Sequence, residues 1–144
     1  MNTVNQLLKT KGQEIWSVKP QTTVYEALQV MSEKDIGALL VIEDGRLEGI
    51  FSERDYARKL ILKGKGSKAT NVDELMTREV ITVEPATSFD KCMALMTTKR
   101  IRHLPVTEND KVVGLVTMGD VVKQIILNQE STIEQLGNYI SGGY

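Results

Sequence analysis

Apolar residues recur at helical spacing in two stretches of the chain. Val24, Ala27, Leu28 and Met31 fall at i, i+3, i+4 and i+7, and Phe89, Cys92, Met93 and Met96 repeat the stripe. Each stretch therefore predicts a helix with one buried face. Thr23 followed by Glu26 has the spacing of a capping box, and Ser88 offers the N-cap hydroxyl of the second helix. Behind each helix lie two short apolar runs divided by turn residues. Ala38 to Ile42 and Leu47 to Phe51 flank Glu43-Asp44-Gly45, while Leu104 to Val106 and Val112 to Thr117 flank Glu108-Asn109-Asp110. These patterns predict two hairpins. Ser52 and Thr117 then open a further helix each, over Glu53 to Leu62 and Met118 to about Asn128. The expected order is strand, helix, strand, strand, helix, twice over.

The recurrence extends to residue identity. Val18, Pro20, Thr22, Met31, Lys34, Ile36, Leu39, Val41, Gly49 and Asp55 reappear as Val83, Pro85, Thr87, Met96, Lys99, Ile101, Leu104, Val106, Gly114 and Asp120, always 65 positions later (83 − 18). An ungapped offset of this kind is an internal duplication. Ahead of each copy, Val4, Leu7 and Leu8 correspond to Val72, Leu75 and Met76 at an offset of 68 (72 − 4), because Thr10 to Glu14 is longer than Arg78 to Glu79. Each repeat is expected to start with a short helix. Lys63 to Thr70, carrying Gly64, Gly66 and three lysines, reads as a flexible connection. The division is then 1–66 for the first repeat, 67–128 for the second and 129–144 for a C-terminal helical extension. Neither half is long enough to cover its own sheet, so the two should pack about a pseudo-two-fold axis.

Composition narrows the chemistry. A chain of 144 residues with 41% hydrophobic and 26% charged residues is an ordinary globular protein. Its net charge of −1 lacks the positive field of a nucleic-acid binder. One cysteine and one histidine cannot form a disulfide framework or a Cys/His zinc site, so no metal is expected. No apolar run approaches the roughly 18 residues of a membrane span, and the expected location is cytoplasmic.

The passage from the last strand of each copy into its second helix carries the candidate chemistry. Gly49-Ile50-Phe51-Ser52-Glu53-Arg54-Asp55 and Gly114-Leu115-Val116-Thr117-Met118-Gly119-Asp120 share the pattern Gly, two apolar residues, a hydroxyl, and Asp three further on. The glycine admits a close neighbour, and the hydroxyl at a helix N-terminus sits among free N–H groups that favour an anion. The aspartate offers paired acceptors suited to the hydroxyls of a ribose. The same spacing also makes a capping box, in which both side chains serve the helix alone.

The tandem repeat, both of these segments, the lead-in Asn71-Val72-Asp73-Glu74-Leu75-Met76-Thr77 and the strand Ile101-Arg102-His103-Leu104-Pro105-Val106 together resemble a pair of CBS domains, the Bateman module, over nearly the whole chain. The resemblance implies an α/β fold of two CBS repeats, with sheets packed together and helices outside. It implies a stand-alone, non-enzymatic sensor of the bacterial type, dimeric, binding adenosine nucleotides between its halves. Carried over by residue, Asp55 and Asp120 would hold ribose, and Ser52 and Thr117 ribose or phosphate. Ser17, Thr82 and their strand neighbours would line the adenine slot, and Arg102 and His103 would meet phosphate. Gly37 and Ala38 stand where the second copy has Arg102 and His103, so the two sites should differ.

Other residues have plainer readings. His103 has no nucleophilic or acidic partner that the sequence places beside it, which argues against a general base. Cys92 sits on the helical stripe opposite Ala27 and reads as core. Arg54 and Arg58 belong to a basic stretch that reads as a solvated face or as reach towards phosphate. Gly64 and Gly66 lack phosphate-loop spacing. Trp16 and Tyr25 could stack on a base, though Trp16 aligns with Ile81 as an apolar strand position. Ile126, Ile133 and Ile140, with Leu136 seven after Gln129, form a seam suited to the chain's own domain or to a homodimer. The functional expectation is a sensor for AMP, with NAD, ADP or ATP as alternatives, read by an unidentified effector protein. The rival readings are a structural dimerisation module and an enzyme acting on the nucleotide.

Overall fold

The computed structural model describes residues 2–12 and 14–140, and side chains as far as Gly137. The chain runs α1 (Val4–Lys11), β1 (Ser17–Val18), α2 (Val24–Lys34), β2 (Ala38–Glu43), β3 (Arg46–Ser52), α3 (Glu53–Asp55), α4 (Phe89–Lys99), β4 (His103–Glu108), β5 (Lys111–Thr117) and α5 (Met118–Ile140). The two striped helices form where the periodicity puts them. Val24, Ala27 and Met31 of α2 and Phe89, Cys92 and Met96 of α4 are buried. The Thr23 hydroxyl accepts from the Glu26 N–H and the Ser88 hydroxyl from the Lys91 N–H, each at 3.1 Å. Both helices end on a left-handed residue, Asp35 at φ 54° and Arg100 at φ 54°, again 65 positions apart (100 − 35).

Strands β2 and β3 pair antiparallel, as do β4 and β5, with Ala38 opposite Ser52 and His103 opposite Thr117. The two-residue turns have φ of 52° and 78° at Asp44 and Gly45, and 53° and 63° at Asn109 and Asp110. Two positive φ values in succession match the right-handed twist of a tight hairpin, and Asn, Asp and Gly tolerate them best. The register slips after Val41 and again after Val106, so even the irregularity is duplicated.

The copies diverge at their leading strands. β1 pairs parallel with β2 and completes a three-stranded sheet, whereas its counterpart is reduced to a single bridge between Val83 and Val106 beside a two-stranded sheet. The second helices diverge more. Glu53 to Leu62 is not one regular helix: a single α turn passes into a π-helical turn over Tyr56–Leu60. In the second copy, α5 instead continues without a break for 23 residues, so the extension is the same helix that closes the repeat.

Packing does not follow the division of the sequence. Val4, Leu7 and Leu8 of α1 join the core built from Val83, Phe89, Cys92, Met96, Leu104, Val106, Val116 and Val121. Val72, Leu75 and Met76 join the core of Val24, Ala27, Met31, Leu39, Val41 and Phe51. Each lead-in thus completes the other repeat. Backbone bonds repeat the exchange: Val4 N–H to Thr87 O and Asn5 N–H to Pro85 O match Val72 N–H to Thr22 O and Asp73 N–H to Pro20 O. The lead-ins are not equally helical, since the second forms only a 3-10 turn, Val72–Glu74.

The connection at Lys63 to Thr70 is more ordered than its composition suggests. Thr70 is buried, its hydroxyl donates to Gly66 O at 2.8 Å, and the carbonyls of Thr70 and Ser67 accept the first free N–H groups of α2, from Val24 and Tyr25. A helix N-terminus leaves such donors unsatisfied, and the nearby segment supplies their partners. The halves meet through β3 and β5.

Candidate functional site

Both hydroxyl–carboxylate pairs form reciprocal capping boxes. The Ser52 N–H donates to Asp55 at 3.0 Å while the Asp55 N–H donates to the Ser52 hydroxyl at 3.2 Å. Thr117 and Asp120 repeat this at 3.0 and 3.1 Å. The local spacing is sufficient for this geometry, because a carboxylate at N3 reaches back to the N-cap amide.

Their surroundings separate the two carboxylates. Asp55 is buried and also receives the Ser52 hydroxyl at 3.1 Å, the Thr77 hydroxyl at 3.4 Å and the Lys59 ammonium at 3.1 Å. Lys59, carried on the π turn, also donates to Leu75 O, and Thr77 exchanges two backbone hydrogen bonds with Ile50. The lead-in backbone therefore closes directly over the Asp55 side. Asp120 has a side chain 26% exposed, against 10% for Asp55. Its partner is the Lys11 ammonium at 2.5 Å, which also donates to Leu115 O at 2.9 Å. Burial alone would raise the Asp120 pKa, but hydrogen bonds from Lys11 and Thr117 outweigh it and hold the carboxyl below its ordinary value.

The motif glycines serve this packing. A Cβ on Gly49 would lie 2.7 Å from Thr77 O and 2.8 Å from the Met76 sulfur, and one on Gly114 would lie 2.6 Å from Leu8 Cδ2. The close neighbour each glycine admits is the exchanged lead-in rather than a ligand.

A cleft of about 350 Å³ lies between the halves on the Asp120 side. Trp16, Ile36, Gly37 and Ala38 line it from the first repeat, His103, Leu115 and Thr117 from the second, and Lys11, Gly12 and Glu14 from the segment after α1. Asp35 completes the lining. Gly12, at φ 92°, turns the chain after Lys11, and its N–H donates to Leu8 O at the helix end. Trp16 packs partly against the first core and carries the Lys34 ammonium 4.4 Å above its ring. Trp16 lies one residue ahead of β1, its carbonyl accepting the Leu40 N–H, and it also lines the cleft. His103 is half-buried; burial and the neighbouring Arg102 lower its pKa, Asp120 pulls it back up and Lys11 lowers it again. The imidazole is therefore neutral at pH 7.

Of the residues expected at a ligand, the cleft gathers His103 and Thr117. Asp120 stands behind Lys11, bonded to it. Ser17 and Thr82 are exposed and do not line the cleft, and Tyr25 stands outside it with the Lys68 ammonium 4.9 Å over its ring. Arg54 donates to Arg100 O at 3.1 Å, tying α3 to the end of α4. Arg58 and Arg102 are exposed. Cys92 is buried, which pushes its thiol pKa up and leaves it a core residue. Lys11, Gly12, Glu14 and Asp35 were not singled out from the sequence. The one trace of them was the longer Thr10 to Glu14 segment behind the change of offset.

Among the described residues no group of His, Cys, Asp and Glu is arranged to hold a metal ion, and no helix is long and apolar enough to cross a membrane.

Known proteins match this architecture throughout. A family model described as CBS domain matches residues 10–62 and again 72–127. The mitochondrial CBS domain-containing protein CBSX3 of Arabidopsis thaliana is 40% identical over 152 residues, covering 99% of this chain and 73% of the relative. A solved structure of a CBS-domain protein from Burkholderia ambifaria is 50% identical with a TM-score of 0.85, covering 88% of this chain and 96% of that one. The CBS domain pair of protein MJ0100, solved with 5-methylthioadenosine and S-adenosyl-L-methionine, is 26% identical with a TM-score of 0.75, covering 85% and 94%. With two matched repeats wound about each other and a cleft between them, this chain belongs to the CBS-domain family, as a tandem pair.

Proposed function

We propose that this protein is a non-enzymatic regulatory module of the cytoplasm that binds an adenosine nucleotide between its two repeats, AMP foremost, with NAD, ADP or ATP as alternatives. The observation that carries the reading is the Asp120-side cleft. Its volume of about 350 Å³ falls within the range of small-molecule sites, roughly 300–1,000 Å³. It combines a tryptophan face able to stack on a base with Lys11, Thr117 and a neutral His103, and with Asp120 behind them. An adenosine-containing ligand in the MJ0100 pair supports the same ligand class. We assign ribose to Asp120, phosphate to Thr117, Arg102 and His103, and the base to the cleft wall at Trp16. On the other side Asp55 is buried beneath the lead-in at Thr77, which leaves Ser52, Arg54 and Arg58 without the ribose-holding carboxylate, so one nucleotide per chain is expected.

Binding between the halves would shift their relative position, and a second protein would read that shift. A homodimer fits the exposed apolar residues of α5, where Ile126, Ile133 and Leu136 are 47%, 68% and 57% exposed. Ile140, the next residue of this seam, has its side chain outside the described residues. The test is calorimetric titration of nucleotide-free protein with AMP, ATP and NAD, alongside Asp120→Ala. Saturable binding near one per chain that the variant weakens tenfold or more supports the reading. No heat and no change in melting temperature with any of the three would favour a structural dimerisation module, in which the capping boxes and the α5 seam are sufficient in themselves. Turnover of any of the nucleotides on prolonged incubation would overturn the non-enzymatic part.

A further inference from the structure

Asp55 and Asp120 are equivalent by sequence but are covered by different kinds of group. Over Asp55 the cover is the backbone and hydroxyl of Thr77, fixed by two hydrogen bonds to Ile50, with Lys59 alongside. Over Asp120 it is a single side chain, Lys11, projecting from the last residue of α1. A partly exposed ion pair on a flexible stem is readily exchanged, whereas a paired backbone is not. Lys11 uses two of its three donors, on Asp120 and Leu115 O, and it lines the cleft with the third free of any acceptor among the described residues. Among the described residues the remaining lining includes two carboxylates, Glu14 and Asp35, and no other lysine or arginine.

We propose that Lys11 is the residue by which this cleft selects phosphorylated ligands. In the empty protein it neutralises Asp120; when a nucleotide enters, the ribose hydroxyls take Asp120 and the ammonium turns to the phosphate. The proposal rests on the nucleotide reading above and adds to it a specificity determinant from outside the repeated motif. A nucleoside without phosphate gains little from the exchange. It must strip Lys11 of its counter-ion without offering another, or leave Asp120 occupied. Breaking a charge-assisted hydrogen bond to a phosphate reduces affinity by about tenfold or more, so the AMP-over-adenosine preference should depend on this ammonium.

The experiment titrates AMP and adenosine, each to millimolar concentration by NMR, into the wild type, Lys11→Met and Lys11→Arg, with melting temperatures confirming that all three fold. Lys11→Met should weaken AMP by about tenfold or more while adenosine binds as well as before or better, since Asp120 has lost its competitor. Lys11→Arg should keep the preference. An AMP affinity in Lys11→Met within twofold of wild type overturns the proposal, and so does an equal loss for AMP and adenosine. A wild type that binds neither ligand removes the AMP reading and this proposal with it, a result distinct from wild-type AMP binding that ignores Lys11.

Discussion

Asp55 and Asp120 hold the same place in the two repeats, yet they should respond differently to loss of the carboxylate. Asp55→Ala removes a capping box, the partner of Lys59 and the partner of the Thr77 hydroxyl at a buried position. It should cost about 1–2 kcal/mol in urea unfolding, at the upper end of cap deletions, and leave nucleotide affinity unchanged. Asp120→Ala should do the reverse, lowering stability less and affinity more. His103 makes a second residue-scale expectation. Its folded pKa lies below the unfolded value of about 6.5, so the unfolded chain binds a proton first as pH falls. Stability is then full above about pH 6.5 and declines as pH falls from there towards the folded pKa. His103→Gln should flatten that slope in unfolding curves collected from pH 7.5 to 5. The hydroxyl–aspartate pairs and His103 were legible in the sequence, because a short motif keeps its members adjacent. Lys11 was not: it comes from the opposite end of the chain, and only the exchange of lead-ins brings it 2.5 Å from Asp120.

At the scale of the element, the clearest sequence signals were those with a local cause. The stripes of α2 and α4, their caps and the Asp44-Gly45 and Asn109-Asp110 turns each depend on residues a few positions apart, and each formed as the pattern predicts. The misses were elements whose form depends on distant packing. The second leading strand shrank to the Val83 bridge, and the helix after Ser52 widened into a π turn where Lys59 reaches Leu75 O. Gly49 and Gly114 belong here, since each records how closely a lead-in crosses a strand. Gly49→Ala drives a methyl into the Thr77 carbonyl, which the bridge to Ile50 fixes, while Gly114→Ala meets the methyl end of the buried Leu8 side chain, which can turn about its own bonds where a carbonyl cannot. Both should destabilise, Gly49→Ala by more, within the range of about 1–3 kcal/mol for overpacking, as measured by chemical denaturation.

For the whole molecule, the exchange of lead-ins means that the repeats are not independent folding units. Deleting residues 1–11 removes the start of the first repeat, yet it strips Val4, Leu7 and Leu8 from the core of the second. Hydrogen exchange should accordingly accelerate most in β4, β5 and α4, with α2 and β2 affected less. The repeat itself and the pseudo-two-fold packing were legible because duplication is visible in one dimension. The crossing was not, because an offset shows which segments correspond and not which half each one completes.

That crossing makes the polypeptide behave as two interlocked pieces joined by an exposed tether at Lys63, Gly64 and Lys65. Trypsin acting there would sever the peptide backbone without undoing either clasp, for each fragment still holds a segment buried in the other. The nicked protein should elute from a sizing column at its uncut volume and separate into two fragments only in denaturant. A fragment made alone would lack the piece that fills its core, and its nearest substitute is its own equivalent lead-in, around Val4–Leu8 in the first fragment or Val72–Met76 in the second, supplied by a second copy.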